Sequence, residues 1–187
     1  MTDAVILVGG LGKRLGKLTK KTPKPLTKIG SKTFLDILIS KIIRYNFKHI
    51  FLMCSYKKEK FFKSYHLKKI HNSKIICIDE GAQKDTGGGL IKLKKKIRKD
   101  FFLLNGDSYF DIDLNTLKKL KNKNTIGKIA ITLNKDYKKN IKLNNMLINN
   151  NDLLFFSKKR TNLMNGGIYY FCKGIFKYLS NKKISIE

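Results

Sequence analysis

The chain has 187 residues, 42% of them apolar or aromatic; that suits one sizeable core and excludes both a disordered chain and two ordinary domains. No apolar run reaches the ~20 residues that span a bilayer, and glycines cut off the apolar residues 4–8 at once, so neither a membrane span nor a signal peptide is read and the cytoplasm is the expected compartment. The net charge of +28 resembles that of nucleic-acid-binding proteins, but it is almost all lysine, spread over every segment, with arginine only at Arg14, Arg44, Arg98 and Arg160. It reads as a solvated surface whose field also gathers anionic substrates.

In chain order, short apolar runs alternate with helical periodicity. Residues 4–8 read as a buried strand ending on Gly9-Gly10. An amphipathic helix is predicted over 33–45, with Phe34, Leu35, Leu38, Ile42 and Ile43 on one face. Strands follow at 49–54 and 74–78, with a helix over 58–65 between them. A helix over 88–97 puts Leu90, Ile91, Leu93 and Ile97 inward, and a strand over 101–105 stops at Gly106-Asp107. Asp113 can cap a short helix over 114–120. Further strands are predicted at 128–133, 153–156 and 167–171, a polar loop or hairpin at 140–152, and a closing helix at 174–179. The alternation predicts a single α/β domain, a Rossmann-like, mostly parallel mixed sheet with helices on both faces. Ligands of such sheets bind at the carboxyl ends of the strands. The segments 9–14, 80–89 and 106–111 all fall there. Cys54, Cys77 and Cys172 read as reduced thiols, and His49, His66 and His71 show no metal-ligand spacing.

Gly9-Gly10-Leu11-Gly12 frees backbone N–H groups for an anion. It is not the dinucleotide fingerprint, because the sixth position counted from Gly10 is Leu15. It is not a Walker loop either, because Arg14 stands where a hydroxyl belongs and Leu7 where the first glycine belongs. Pro23-Lys24-Pro25 follows, and two prolines stiffen the backbone around one lysine. The alternative for the loop is a tight turn with incidental cations.

Gly9-Gly10-Leu11-Gly12-Lys13-Arg14-Leu15, Leu18-Thr19 and Pro23-Lys24-Pro25-Leu26 together resemble the signature of the sugar-1-phosphate nucleotidyltransferases, with Lys13 in place of the usual threonine. The likeness continues through Asp85-Thr86-Gly87-Gly88, Leu104-Asn105-Gly106-Asp107 and Asn165-Gly166-Gly167-Ile168-Tyr169. Residues 101–114 are most similar to D-glycero-D-manno-heptose 1-phosphate guanylyltransferases. The resemblance implies transfer of a nucleotidyl group from a nucleoside triphosphate to a sugar 1-phosphate, with pyrophosphate released, to supply nucleotide sugars for a surface polysaccharide.

It also implies roles. Leu7, Gly9, Gly10, Gly12 and Lys13 would line the triphosphate, with Arg14 on the departing pyrophosphate. Lys24 would bridge the α-phosphate and the sugar phosphate. Asp107 would bind Mg²⁺. Glu80 would face the base, beside Asp85, Thr86, Gly87 and Gly88. A carboxylate offers only acceptors, which match the adjacent N1–H and N2 amino donors of guanine and favour GTP. On the side of the sugar phosphate substrate, Asn165 and Gly166 would meet sugar hydroxyls and Lys159 the phosphate, with Asp111 a further candidate. For Asp107, Glu80, Asn165 with Gly166, and Asp111 the alternatives are a turn aspartate, a solvated loop acid, turn chemistry and a turn cap.

Departures from the family pattern are Asp85 for a glycine, Lys158 for a glutamate and Asn144 for a loop glycine. The resemblance places a second metal-binding aspartate beyond Glu187, so the domain is expected to be short at its C-terminus. Two other readings stay open at this point: a non-catalytic, pyrophosphorylase-like nucleotide-binding or regulatory domain, and a basic nucleic-acid-binding protein. A homo-oligomer is also left open.

Overall fold

Asp3–Leu7 forms β1, a strand buried along its middle and hydrogen-bonded to a parallel neighbour on each side. The computed structural model describes residues 1–12, 16, 19, 21–81, 85–119, 124–133, 146–148, 154–156, 162–180 and 186. The further strands are β2 (Lys28–Ile29), β3 (Lys32–Thr33), β4 (His49–Cys54), β5 (Lys69–Ile70), β6 (Ser73–Asp79), β7 (Phe101–Asn105), β8 (Gly127–Leu133), β9 (Met146–Ile148), β10 (Leu154–Phe156) and β11 (Leu163–Phe171). Among the described residues, the helices are α1 (Phe34–Ile42), α2 (Lys58–Tyr65) and α3 (Asp85–Leu90).

The main sheet has seven strands in the order β5-β6-β4-β1-β7-β11-β8. Its centre, β6-β4-β1-β7, is parallel, while β5, β11 and β8 join antiparallel. The chain runs outward from β1 through β4 to β6, then returns across β1 to form β7. That reversal lies between β1 and β7, and open α/β sheets bind ligands at the carboxyl ends of the strands at such a point. One core packs α1 and α2 on one face of the sheet through Leu35, Leu38, Ile42, Phe61 and Tyr65. A second core closes the other face with Leu90, Leu93, Ile97, Phe101 and Phe176. The mostly parallel, doubly covered sheet read from the sequence is the one observed.

Local chemistry explains the element ends. Thr33 closes a capping box: its Oγ1 accepts from Asp36 N at 3.0 Å, and the Asp36 carboxylate accepts from Thr33 N at 3.0 Å. α1 tails into a 3-10 turn at Ile43–Tyr45, so the predicted 33–45 helix is α1 with its cap and tail. β4 and α2 match their predicted bounds, and β6 is one residue longer at each end.

The 88–97 prediction is corrected. α3 starts earlier, at Asp85, and tightens into a 3-10 turn at Ile91–Leu93, with Leu90, Leu93 and Ile97 still buried. Three successive glycines support a regular helix poorly, and Gly89 is fixed by what it packs against, described below. The predicted helices at 114–120 and 174–179 are short 3-10 turns, Leu114–Leu117 and Lys173–Lys177. β11 begins four residues before the predicted strand, since Leu163–Asn165 already pair with β8 ahead of the stretch that also pairs with β7. Within 140–152 the described residues are β9, which pairs antiparallel with β10; the rest lies outside the described residues.

Candidate active site

The glycine loop leaves β1 anchored by hydrogen bonds to β4 and the residue after it. Val8 N donates to Met53 O at 3.0 Å, and the Gly9 carbonyl accepts from Ser55 Oγ at 3.0 Å. Leu7 is held between Met53 and Asn105. Gly12 turns the chain at φ +60°, a conformation that suits glycine. Its carbonyl accepts from the buried Thr19 hydroxyl at 3.1 Å, and Thr19 also reaches Gly16 O at 3.2 Å. The loop is thus a closed turn with Gly10 facing open space. Lys13 and Arg14 lie outside the described residues.

The Pro-Lys-Pro segment forms a 3-10 turn, Lys24–Leu26, with Pro25 buried and Lys24 projecting. Lys24 Nζ bonds Asp107 Oδ2 at 2.7 Å, with the two side chains 38% and 45% exposed. Asp107 is carried there by Gly106, whose N–H donates to Leu7 O at 2.9 Å. A Cβ on Gly106 would stand 2.5 Å from that same carbonyl oxygen, so only glycine lets β7 leave the sheet this close to β1. Lys24 and Asp107, 83 residues apart in sequence, therefore meet beside the glycine loop. No group of three or more His, Cys, Asp or Glu side chains placed to hold a metal occurs among the described residues. A divalent ion would take the Asp107 carboxylate and complete its shell with phosphate oxygens and water, the usual mode for Mg²⁺.

Glu80 follows the tip of β6, its N–H donating to Cys54 O at 2.8 Å. Its carboxylate lies between two glycines. A Cβ on Gly9 would collide with Oε2, and one on Gly89 would stand 2.8 Å from Oε1. Gly9 and Gly89 thus form a pocket that only backbone can line at this distance. Burial raises the Glu80 pKa to about 7; Lys92 opposes the rise and Asp79 adds to it. The backbones of Asp85 and Thr86 open α3, and Gly87 and Gly88 are buried behind the pocket.

On the far side, the Asn165 amide is engaged at both ends. Its Oδ1 accepts from Gly167 N at 2.9 Å and its Nδ2 donates to Tyr169 Oη at 2.6 Å, across the register irregularity between Asn165 and Tyr169. Among the described residues these two bonds use one N–H and one lone pair of the amide. Gly166 is pressed on Ala130, with a Cβ there 2.9 Å from its carbonyl oxygen. Asp111 is 94% exposed and bonds Lys41 Nζ at 2.9 Å. Lys159 lies outside the described residues.

Some supporting residues are given no role from the sequence. Ser55 and Thr19 hold the glycine loop, and Lys41, 12% exposed, ties α1 to the segment after Asp107 through Asp111 and the ring of Tyr109. Thr19 could have been taken from the motif it sits in; the others are revealed only by the fold.

This arrangement, a glycine turn, a lysine–aspartate pair and a buried carboxylate at the carboxyl end of a parallel sheet, suits a nucleotide-transfer site. The chain matches the nucleotidyl transferase family over residues 3–185 and belongs to it. It is 33% identical over 190 residues to the D-glycero-alpha-D-manno-heptose 1-phosphate guanylyltransferase of Campylobacter jejuni, covering 99% of this chain and 83% of that protein. It is 31% identical to the bifunctional protein GlmU of Methanocaldococcus jannaschii, but over only 43% of that longer protein. Its fold superposes on HddC from Yersinia pseudotuberculosis complexed with GMP-PN with a TM-score of 0.80 at 27% identity, covering 100% of this chain and 84% of that one. No helix among the described residues is long and apolar enough to cross a membrane.

Proposed function

We propose that the protein is a guanylyltransferase that joins GTP to a sugar 1-phosphate, D-glycero-D-manno-heptose 1-phosphate, giving a GDP-sugar and pyrophosphate. The observation that carries the reading is the Glu80 carboxylate walled by Gly9 and Gly89 beside the phosphate loop. Two parallel acceptors match the N1–H and N2 amino donors of guanine and repel the acceptors that flank the single donor of uracil or thymine. The relatives named as heptose 1-phosphate guanylyltransferases, and the guanine nucleotide of the HddC complex, support the same base.

In the reaction, an oxygen of the sugar phosphate attacks the α-phosphorus and the bond to pyrophosphate breaks. The nucleophile is already an anion at neutral pH, so no general base is required. The protein's task is to bring two polyanions together and to neutralise charge on the leaving group. Gly9, Gly10 and Gly12 would offer backbone N–H groups to the triphosphate, with Lys13 and Arg14 beyond them. Lys24 would leave Asp107 and pair with phosphate. Asp107 would then hold Mg²⁺, which supplies further charge neutralisation when bound. Asn165, Gly166, Lys159 and Asp111 would meet the sugar phosphate.

The test incubates the protein with Mg²⁺, each nucleoside triphosphate and the heptose 1-phosphate, and measures pyrophosphate. GTP-dependent release is expected. Folded protein that releases no pyrophosphate with any sugar 1-phosphate overturns the proposal.

A further inference from the structure

The turn that carries Glu80 is gripped from both faces of the sheet. Asp79, the last residue of β6, has its carboxylate and its carbonyl engaged. Lys58 Nζ of α2 bonds Oδ2 at 2.5 Å, Gly81 N–H donates to Oδ1 at 2.8 Å, and Lys92 Nζ donates to the main-chain carbonyl at 2.7 Å. α2 packs into one core and the turn bearing Lys92 into the other. Two lysines from opposite layers therefore clamp one strand tip. The Lys92 ammonium also lies 3.5 Å from where a Cβ on Gly81 would stand, so it flanks the residue after Glu80 as well as the one before.

Among the described residues, the charged groups that face Glu80 are Lys92 and Asp79. β4 presents the neutral Cys54 thiol, and Gly9 and Gly89 bring no charge. Lys92 is thus the cation beside an acidic pocket that burial would otherwise keep protonated. A protonated Glu80 would offer a donor where guanine also offers donors.

We propose that Lys92 is the positioning residue that sets base choice: it ties the Asp79 carbonyl to the turn after α3 and holds its ammonium beside Glu80, keeping two acceptors in register for two adjacent N–H donors of a purine. This inference rests on the reading that Glu80 meets the base. An exposed lysine with only a solubility role would need neither the carbonyl bond nor this placement. Removing a nearby opposite charge raises a carboxyl pKa, by about one unit where the two interact closely.

The test is equilibrium titration of the whole chain with GTP and with ATP, in Mg²⁺ buffer between pH 6 and pH 9, for wild type, Lys92→Met, Lys92→Arg and Glu80→Gln. The GTP-to-ATP affinity ratio cancels the titration of the triphosphate itself. Lys92→Met is expected to lower that ratio about fivefold at pH 7, with the deficit gone by pH 9. Lys92→Arg should keep the wild-type ratio, and Glu80→Gln should lose the preference for GTP at every pH. A pH-independent loss of both nucleotides in Lys92→Met would mark a fold support and overturn the inference. So would an unchanged ratio in Lys92→Met while Glu80→Gln loses the preference. An unchanged ratio in Glu80→Gln overturns the base reading itself, and the role of Lys92 falls with it.

Discussion

Replacing Glu80 by Gln should change how the stability of the ligand-free protein depends on pH. The folded carboxyl titrates near 7 because burial disfavours its charge, against an ordinary value of 4.5. Its pKa is raised on folding, so the folded state binds the proton more tightly. The favourable contribution is complete below about pH 4.5 and is lost as pH rises through about 7. Applying the linkage between those two values gives about 2.5 kcal/mol lost from pH 5 to pH 8, or about 2 kcal/mol once the partly open side of the carboxylate is allowed for. A chain of this size moves ~2–4 °C per kcal/mol. Glu80→Gln has no charge to desolvate, so the melting-temperature gap between variant and wild type should widen by ~4–8 °C in the variant's favour from pH 5 to pH 8. Thermal melts without nucleotide at the two pH values measure it, and comparing gaps cancels any pH-independent packing cost. Parallel pH profiles for the two proteins would refute a buried, charge-penalised Glu80.

Asp107→Asn should cut pyrophosphate release about 100-fold or more, while the melting temperature stays put, because the Lys24–Asp107 pair is too exposed to stabilise the fold; a large drop in stability would contradict this. Gly106→Ala forces a methyl to 2.5 Å from Leu7 O and should cost about 2–3 kcal/mol in urea unfolding, so an unmoved midpoint would count against the tight exit from β7. Thr33→Ala removes the α1 cap and its bond to Asp36 and should cost about 1–2 kcal/mol, which Thr33→Ser largely restores.

What the sequence made legible follows from how local each signal is. β4 and α2 match their predicted bounds because apolar alternation and helical spacing are written within a few residues. The Thr33-x-x-Asp36 spacing already contains the cap that starts α1. α3 departs from its predicted bounds because it carries three glycines of poor helix propensity, one of which, Gly89, packs on Glu80, a residue nine positions away across a turn. Lys24 and Asp107 could be picked out from motif chemistry, but nothing local said that they bond each other. Lys41 with Asp111, and Lys92 with Asp79, are likewise pairings between separate elements among many similar lysines. In a chain with net charge +28, lysine identity carries little information until the fold selects which ones have acceptors.

The order of the sheet divides the molecule by how readily it should open. The glycine loop and Asp107 hang from the central strands β1 and β7, and Glu80 from β6 beside β4, all at the end of the parallel ladder and rooted in two cores. Asn165 and Gly166 hang from β11, whose outer neighbour β8 ends in the exposed Ile131 and Leu133. Amide protons of β1 should therefore exchange only when the whole domain unfolds, and those toward the end of β8 through local fraying at a fraction of that cost. The half of the site assigned to the nucleotide would stay assembled through fluctuations that repeatedly loosen the half assigned to the sugar.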